Sequence, residues 1–138
     1  LAAENVAELF LVDCAQAKAE AVAGEIRKRH PGVKTAIGFP AGEVDVMIQA
    51  TPLGLKEGDP SPLAGAPFSL KQARTVYDMI YRPAETPLLR EAREAGCRTA
   101  NGLGMLLYQG AKALEIWTEK TAPVEVMREA LSKNIYQS

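Results

Sequence analysis

The chain has 138 residues, 47% of them apolar, and a formal net charge of −1, which is enough apolar material for one ordinary core. That charge leaves no basic footprint for nucleic acid or an anionic membrane surface, and no apolar run nears the roughly 18 residues that cross a bilayer. Cys14 and Cys97 lie far apart, match no metal spacing, and read as reduced cytosolic thiols.

The opening "LAAENVAELFLVD" has neither Met nor a polar tail, so the sequence reads as starting inside a structural element of a longer protein. "ELFLVD" (8–13) is a short apolar run ending in an acid and suits a buried parallel strand. "AQAKAEAVAGEIRKRH" (15–30) reads as a helix, with Ala19, Val22, Ala23 and Ile26 at helical spacing and Arg27, Lys28 and Arg29 in its last turn. "PG" at 31–32 stops it. "VKTAIG" (33–38) and "VDVMIQAT" (44–51) are further strands, the second buried and closed by Pro52 and Gly54. Residues 52 to 72 form a loop with a short helix near Ser69. "RTVYDMIY" (74–81) is a strand. "TPLLREAREAG" (86–96) is a helix with Thr86 as N-cap, Pro87 at its first position and Gly96 at its stop. "CRTAN" (97–101) is a short strand, followed by helices over 103–118 and 123–133. This alternation predicts an α/β fold with a mostly parallel sheet.

Ligands of such sheets sit outside the carboxyl ends of the strands. Asp13 ends the first strand here; in dinucleotide-binding folds an acid at the end of the second strand accepts hydrogen bonds from the adenosine ribose, and an Asp there equally suits a cap for the helix that follows. A ribose role disfavours a 2′-phosphate, since like charges about 4 Å apart repel by roughly 1 to 4 kcal/mol. The nearest downstream cation is Lys18, so NAD is favoured over NADP. "QATPLG" (49–54) leaves small residues and the Thr51 hydroxyl at a strand exit, as a ligand approach or as a plain loop. Asn101 can cap the helix behind it. Gly102 and Gly104 cost roughly 1 kcal/mol each inside a helix, but at its mouth they leave N–H groups open to a ligand. Gly102, Met105 and Gln109 follow i, i+3, i+7 spacing and share a face, suited to a nicotinamide at one end and a polyhydroxy substrate at the other. The same residues suit tight packing, with the glycines admitting a neighbouring backbone and Gln109 satisfied internally. Tyr81 either reaches a substrate carboxylate or anchors its loop. His30, the only histidine, reads as solvated, which leaves no His-based triad or His-rich metal site. Trp117 reads as core.

"ATPLG", "VYDMIYRPAETPLLREAREAG" and "NGLGMLLYQGAKALEIWT" closely resemble, in order and spacing, the C-terminal cofactor-binding domain of the shikimate and quinate/shikimate dehydrogenases. The resemblance implies a Rossmann-like doubly wound sheet and a cytoplasmic NAD(P)-dependent oxidoreductase. That enzyme interconverts the C3 hydroxyl of shikimate or quinate with the ketone. It puts Asp13 on the adenosine ribose, Thr51 beside the cofactor and Met79 on the nicotinamide-ribose side. Gly102 and Met105 fall against the nicotinamide, and Tyr81 and Gln109 face the substrate. It also implies that residues 1–138 are the C-terminal part of the dinucleotide-binding domain. The family's catalytic Lys and Asp, its Gly-rich phosphate loop and its first strand then lie outside this sequence. No catalytic residue is expected within it, and the chain alone is expected to be inactive.

Two departures stand out. "DCA" (13–15) replaces the Asn-Arg-Thr of NADP-preferring members, which reinforces NAD. Gln49 replaces the usual Asn before Ala-Thr, which leaves the shape of the turn open. Without the family's first strand, the sheet is expected either to be completed from outside these residues or to pair the strand ending at Asp13 directly with that at 44–50. A metabolite-sensing regulator built on the same domain, half of a fused multifunctional enzyme, the choice of quinate or shikimate, and a homodimer all stay open.

Overall fold

The computed structural model describes residues 1–136. It divides into two compact units, residues 1–42 and residues 43 onward. In the first, β1 (Glu8–Leu11), α1 (Gln16–Arg29) and β2 (Lys34–Ile37) make one βαβ unit. The strands pair in parallel, with Leu9 opposite Thr35 and Leu11 opposite Ile37, so the connection has to cross over as a helix. α1 buries Ala19 and Ala23 and carries Arg27, Lys28 and Arg29 in its last turn, where cations complement the helix dipole. Val22, expected on the buried stripe, is half exposed. A two-stranded sheet covers only a narrow strip of the helix, and the two alanines fill it.

The second unit runs β3 (Val44–Gln49), β4 (Ala73–Asp78), α2 (Pro87–Glu94), β5 (Arg98–Asn101), α3 (Leu103–Thr118) and α4 (Val124–Tyr136). Its three strands lie in the order β3-β4-β5, all parallel. The register sets Gln49 opposite Asp78 and Asp78 opposite Asn101, so three strand exits open in one row. α2 begins where the sequence said it would: Thr86 is its N-cap and Pro87 opens the first turn, a position that wastes no backbone donor. It buries Leu88, Leu89 and Ala92 against Ala73 and Val76 of β4, with Met47, Phe68 and Leu70 packed around them. The long loop ends in a 3₁₀ turn, Leu70–Gln72, held by a Ser69 capping box.

Three expectations are corrected. The strands at 8–13 and 44–51 are not buried. Phe10, Val46 and Ile48 are exposed by 36%, 51% and 37%, because β1 and β3 each carry a ladder on one side only within narrow sheets. Direct pairing of β1 with the 44–50 strand is not formed among the described residues; the strands make two separate sheets. Trp117 is not core but 80% exposed. It sits in the last turn of α3, about a quarter turn off the row carrying buried Leu107 and Ala111. No described helix is long and apolar enough to cross a membrane.

Candidate functional site

At the first exit of the row, Gln49 is 3% exposed and folds back over its own turn. Its Oε1 accepts the Thr51 N–H, and its Nε2 donates to the carbonyls of Thr51 (3.0 Å) and Leu53 (2.9 Å). The Leu53 N–H donates to Thr51 Oγ1 at 3.2 Å. Asp59 closes the next stretch, its Oδ2 accepting the N–H groups of Lys56 (2.9 Å) and Gly54 (3.0 Å). Those two donors hold the Asp59 carboxyl below the usual range. The departure from Asn at position 49 thus leaves an ordered turn.

At the second exit Asp78 is fully buried. Its Oδ1 accepts the Ile80 N–H at 3.0 Å and its Oδ2 accepts the Thr86 hydroxyl at 2.7 Å, while Thr86 Oγ1 accepts the Leu89 N–H at 3.3 Å. The Asp and Thr of the Asp-x-x-Tyr-x-Pro-x-x-Thr run therefore close the 78–86 loop into a ring. This loop contains a cis Arg82–Pro83 bond. It leaves Met79 and Tyr81 38% and 37% exposed. Sequence reasoning found the Thr86 cap but missed the roles of Asp78 and Gln49. The signals were an acid ending a strand eight residues before an N-cap and an amide in an otherwise apolar strand.

At the third exit the two glycines separate. The Gly102 N–H donates to the Ile80 carbonyl at 3.0 Å, and a Cβ on Gly102 would run into the Met79 carbonyl. Gly102 is buried and admits a neighbouring backbone. Its N–H is spent, so the expectation that this group stands open is corrected. Gly104 has open space where a Cβ would be, and neither its N–H nor that of Met105 has an acceptor among the described residues. Asn101 Oδ1 caps the helix through the Leu103 N–H at 3.1 Å. Gln109 is exposed, and its side chain has no hydrogen-bond partner among the described residues, so it is not satisfied internally. A hollow of about 560 Å³ runs past Tyr77, Asn101, Leu103, Gly104, Met105 and Tyr108. At its rim Tyr108 Oη takes a hydrogen bond from Arg128 at 3.1 Å, which with Glu125 raises the guanidinium's pKa.

The three exits are one scaffold. The Met79 N–H donates to the Gln49 carbonyl at 3.0 Å, and the Met79 carbonyl backs onto Gly102. Of the residues singled out in the sequence, Thr51, Met79 and Gly102 are linked through these contacts. Met105 and Gln109 follow on α3, and Tyr81 stands alone on its loop.

Asp13 lies in the first unit, at the carboxyl end of β1. Its Oδ1 accepts the Ala15 N–H at 2.8 Å. That bond lowers the carboxyl's pKa, with smaller contributions from the Cys14 thiol and Lys18. Asp13 thus orders the turn leading into α1 without capping the helix, whose N-cap Ala15 has no side-chain cap bond, and its Oδ2 accepts nothing among the described residues. Asp13, Lys18 and Val22 line a hollow of about 120 Å³. No group of three potential metal ligands exists among the described residues.

Residues 102–131, which carry Gly102, Met105 and Gln109, match the family described as Shikimate 5′-dehydrogenase C-terminal domain. The shikimate dehydrogenase (NADP(+)) of Methanopyrus kandleri is 37% identical over 143 residues, covering 98% of this chain and 49% of that protein. Nearly the whole chain is thus similar to shikimate dehydrogenases. Among solved structures, the shikimate 5-dehydrogenase of Listeria monocytogenes, in complex with shikimate and NAD, is similar with a TM-score of 0.79 and 35% identity over 94% of this chain and 49% of that one. A second shikimate dehydrogenase, in complex with NADP+, gives 0.77 and 36% over 93% and 47%. The chain spans about half the length of the curated relatives it matches.

Proposed function

We propose that this chain is the cofactor-binding half of an NAD(P)-dependent dehydrogenase acting on shikimate or the related ring acid quinate. The observation that carries the reading is on α3. Gln109 and Met105 stand exposed beside two N–H groups that have no acceptor among the described residues, inside the segment that the family match covers.

Each unit, taken by itself, offers groups that suit part of a dinucleotide. The Oδ2 of Asp13, which accepts nothing among the described residues and lies in a hollow at a strand's carboxyl end, suits two ribose hydroxyls. Met79 and Met105 offer soft apolar surface, and Thr51 offers a hydroxyl. Gly102 holds Met79 in place by letting its carbonyl approach. A bound nicotinamide supplies or takes up the hydride; the chain's own residues bind, orient and exclude water. Tyr81 and Gln109 are hydrogen-bonding groups for a polyhydroxylated carboxylate. The proton is handled by a Lys–Asp pair outside residues 1–138. The family's first strand and its Gly-rich phosphate loop also lie outside residues 1–138. Two unpaired cysteines go with a cytoplasmic setting.

NAD is favoured. Asp13 repels a 2′-phosphate, and no arginine lines its hollow. Lys18 does line it, which supplies a counter-charge and leaves NADP as the weaker cofactor.

The test is steady-state oxidation by the intact protein, with shikimate and quinate each offered with NAD and with NADP. Turnover with at least one pair is expected, faster with NAD at low cofactor. No turnover with any of the four pairs overturns the reading, and a strong NADP preference overturns the role given to Asp13.

A further inference from the structure

We propose that Gln49 is a positioning residue for the dinucleotide, acting through Thr51. This rests on the function proposed above. Gln49 ends β3, and its side chain is almost completely buried. A buried primary amide is costly unless its groups are paired. Here both ends of the amide are spent on the turn that follows, on the N–H and carbonyl of Thr51 and on the carbonyl of Leu53. The Thr51 peptide groups on either side of its Cα are thereby fixed by one side chain.

The consequence falls on the Thr51 hydroxyl. A hydroxyl carries one proton and two lone pairs. The Leu53 N–H takes a lone pair, and the proton has no acceptor among the described residues. Thr51 is exposed. Its O–H is therefore a donor held ready at the carboxyl end of β3, suited to a ribose or phosphate oxygen of the cofactor. The Gln49 backbone carries the same constraint sideways, because its carbonyl receives the Met79 N–H.

The experiment uses the intact protein and compares Gln49→Met, Gln49→Asn, Thr51→Val and the Gln49→Met/Thr51→Val pair, with cofactor KM, shikimate KM and kcat measured separately. Gln49→Met is expected to raise cofactor KM about tenfold, a typical loss for hydrogen bonds of this kind, and to leave shikimate KM within about twofold. Gln49→Asn, which restores an amide, is expected to recover most of the loss. In the Thr51→Val background Gln49→Met is expected to add less than about twofold, because residues acting as a unit are not additive. An unchanged cofactor KM in folded Gln49→Met overturns the proposal. So do effects that multiply in the pair, or an equal rise in shikimate KM. Should Gln49→Met fail to fold, Gln49→Glu keeps the acceptor for the Thr51 N–H and loses both donors; a Glu variant with the wild-type cofactor KM overturns the proposal. A wild-type protein that turns over neither ring acid overturns the underlying function. An active wild type with silent Gln49 variants overturns this inference alone.

Discussion

Gly102 and Gly104 are two residues apart and give opposite forecasts for the same substitution. In Gly102→Ala the new methyl meets the Met79 carbonyl, a backbone group that cannot rotate away. Overpacking of this kind costs about 1–3 kcal/mol, and rigid backbone argues for the upper part of that range. Gly102 sits at φ −72°, which Ala accepts, so a stiffer unfolded chain returns about 0.4–1 kcal/mol. The net loss is about 1–2.6 kcal/mol. For a protein of some 150–250 residues or more that lowers Tm by about 2–10 °C. Gly104→Ala meets nothing within 4 Å and is expected to be neutral or to gain about 0.4–1 kcal/mol. Thermal unfolding of the intact protein followed by far-UV circular dichroism reads both. Equal stability of Gly102→Ala and wild type, or equal loss in both variants, would refute the assignment of Gly102 to backbone contact and Gly104 to open space.

Thr86→Val removes an N-cap and leaves the Asp78 carboxylate short of a donor; a loss of about 2–3 kcal/mol in urea unfolding is expected. The Asp59 carboxyl is lowered by the Lys56 and Gly54 N–H groups, so its contribution is fully present above about pH 4 and disappears as pH falls through the lowered folded value. The Tm gap between wild type and Asp59→Asn should accordingly be widest near neutrality and close below about pH 4; a gap that widens in acid contradicts the clamp. Gln109→Ala should raise shikimate KM about tenfold with the fold intact, and a variant that loses its circular dichroism signal instead would return Gln109 to a packing role. Lys18→Glu should weaken NADP more than NAD, and an equal effect on both would detach Lys18 from the 2′-phosphate.

The elements were legible because their punctuation is local. Thr86-Pro87 opens α2, Ser69 opens the 3₁₀ turn and Asn101 caps α3, each through bonds spanning a few residues. What the sequence could not convey was long-range. Gly102 reads as a helix weakener until Met79, 23 positions earlier, is seen against it. Asp78 reads as one more polar strand end until Thr86 donates to it. Trp117 reads as core only because apolar character says nothing about which side of a helix has a neighbour; the buried row of α3 runs through Leu107 and Ala111. Composition alone makes the strands at 8–13 and 44–51 read as buried. Exposure of Val46 and Ile48 follows from how many strands flank them, which no single segment encodes.

Trp117 is also the only indole in the sequence, and it stands in water at the far end of α3. Indole emission moves to shorter wavelength when water is replaced by apolar surroundings, so the molecule carries its own optical reporter at that corner. Anything that settles there turns the fluorescence bluer, and anything that settles elsewhere leaves the colour as it was.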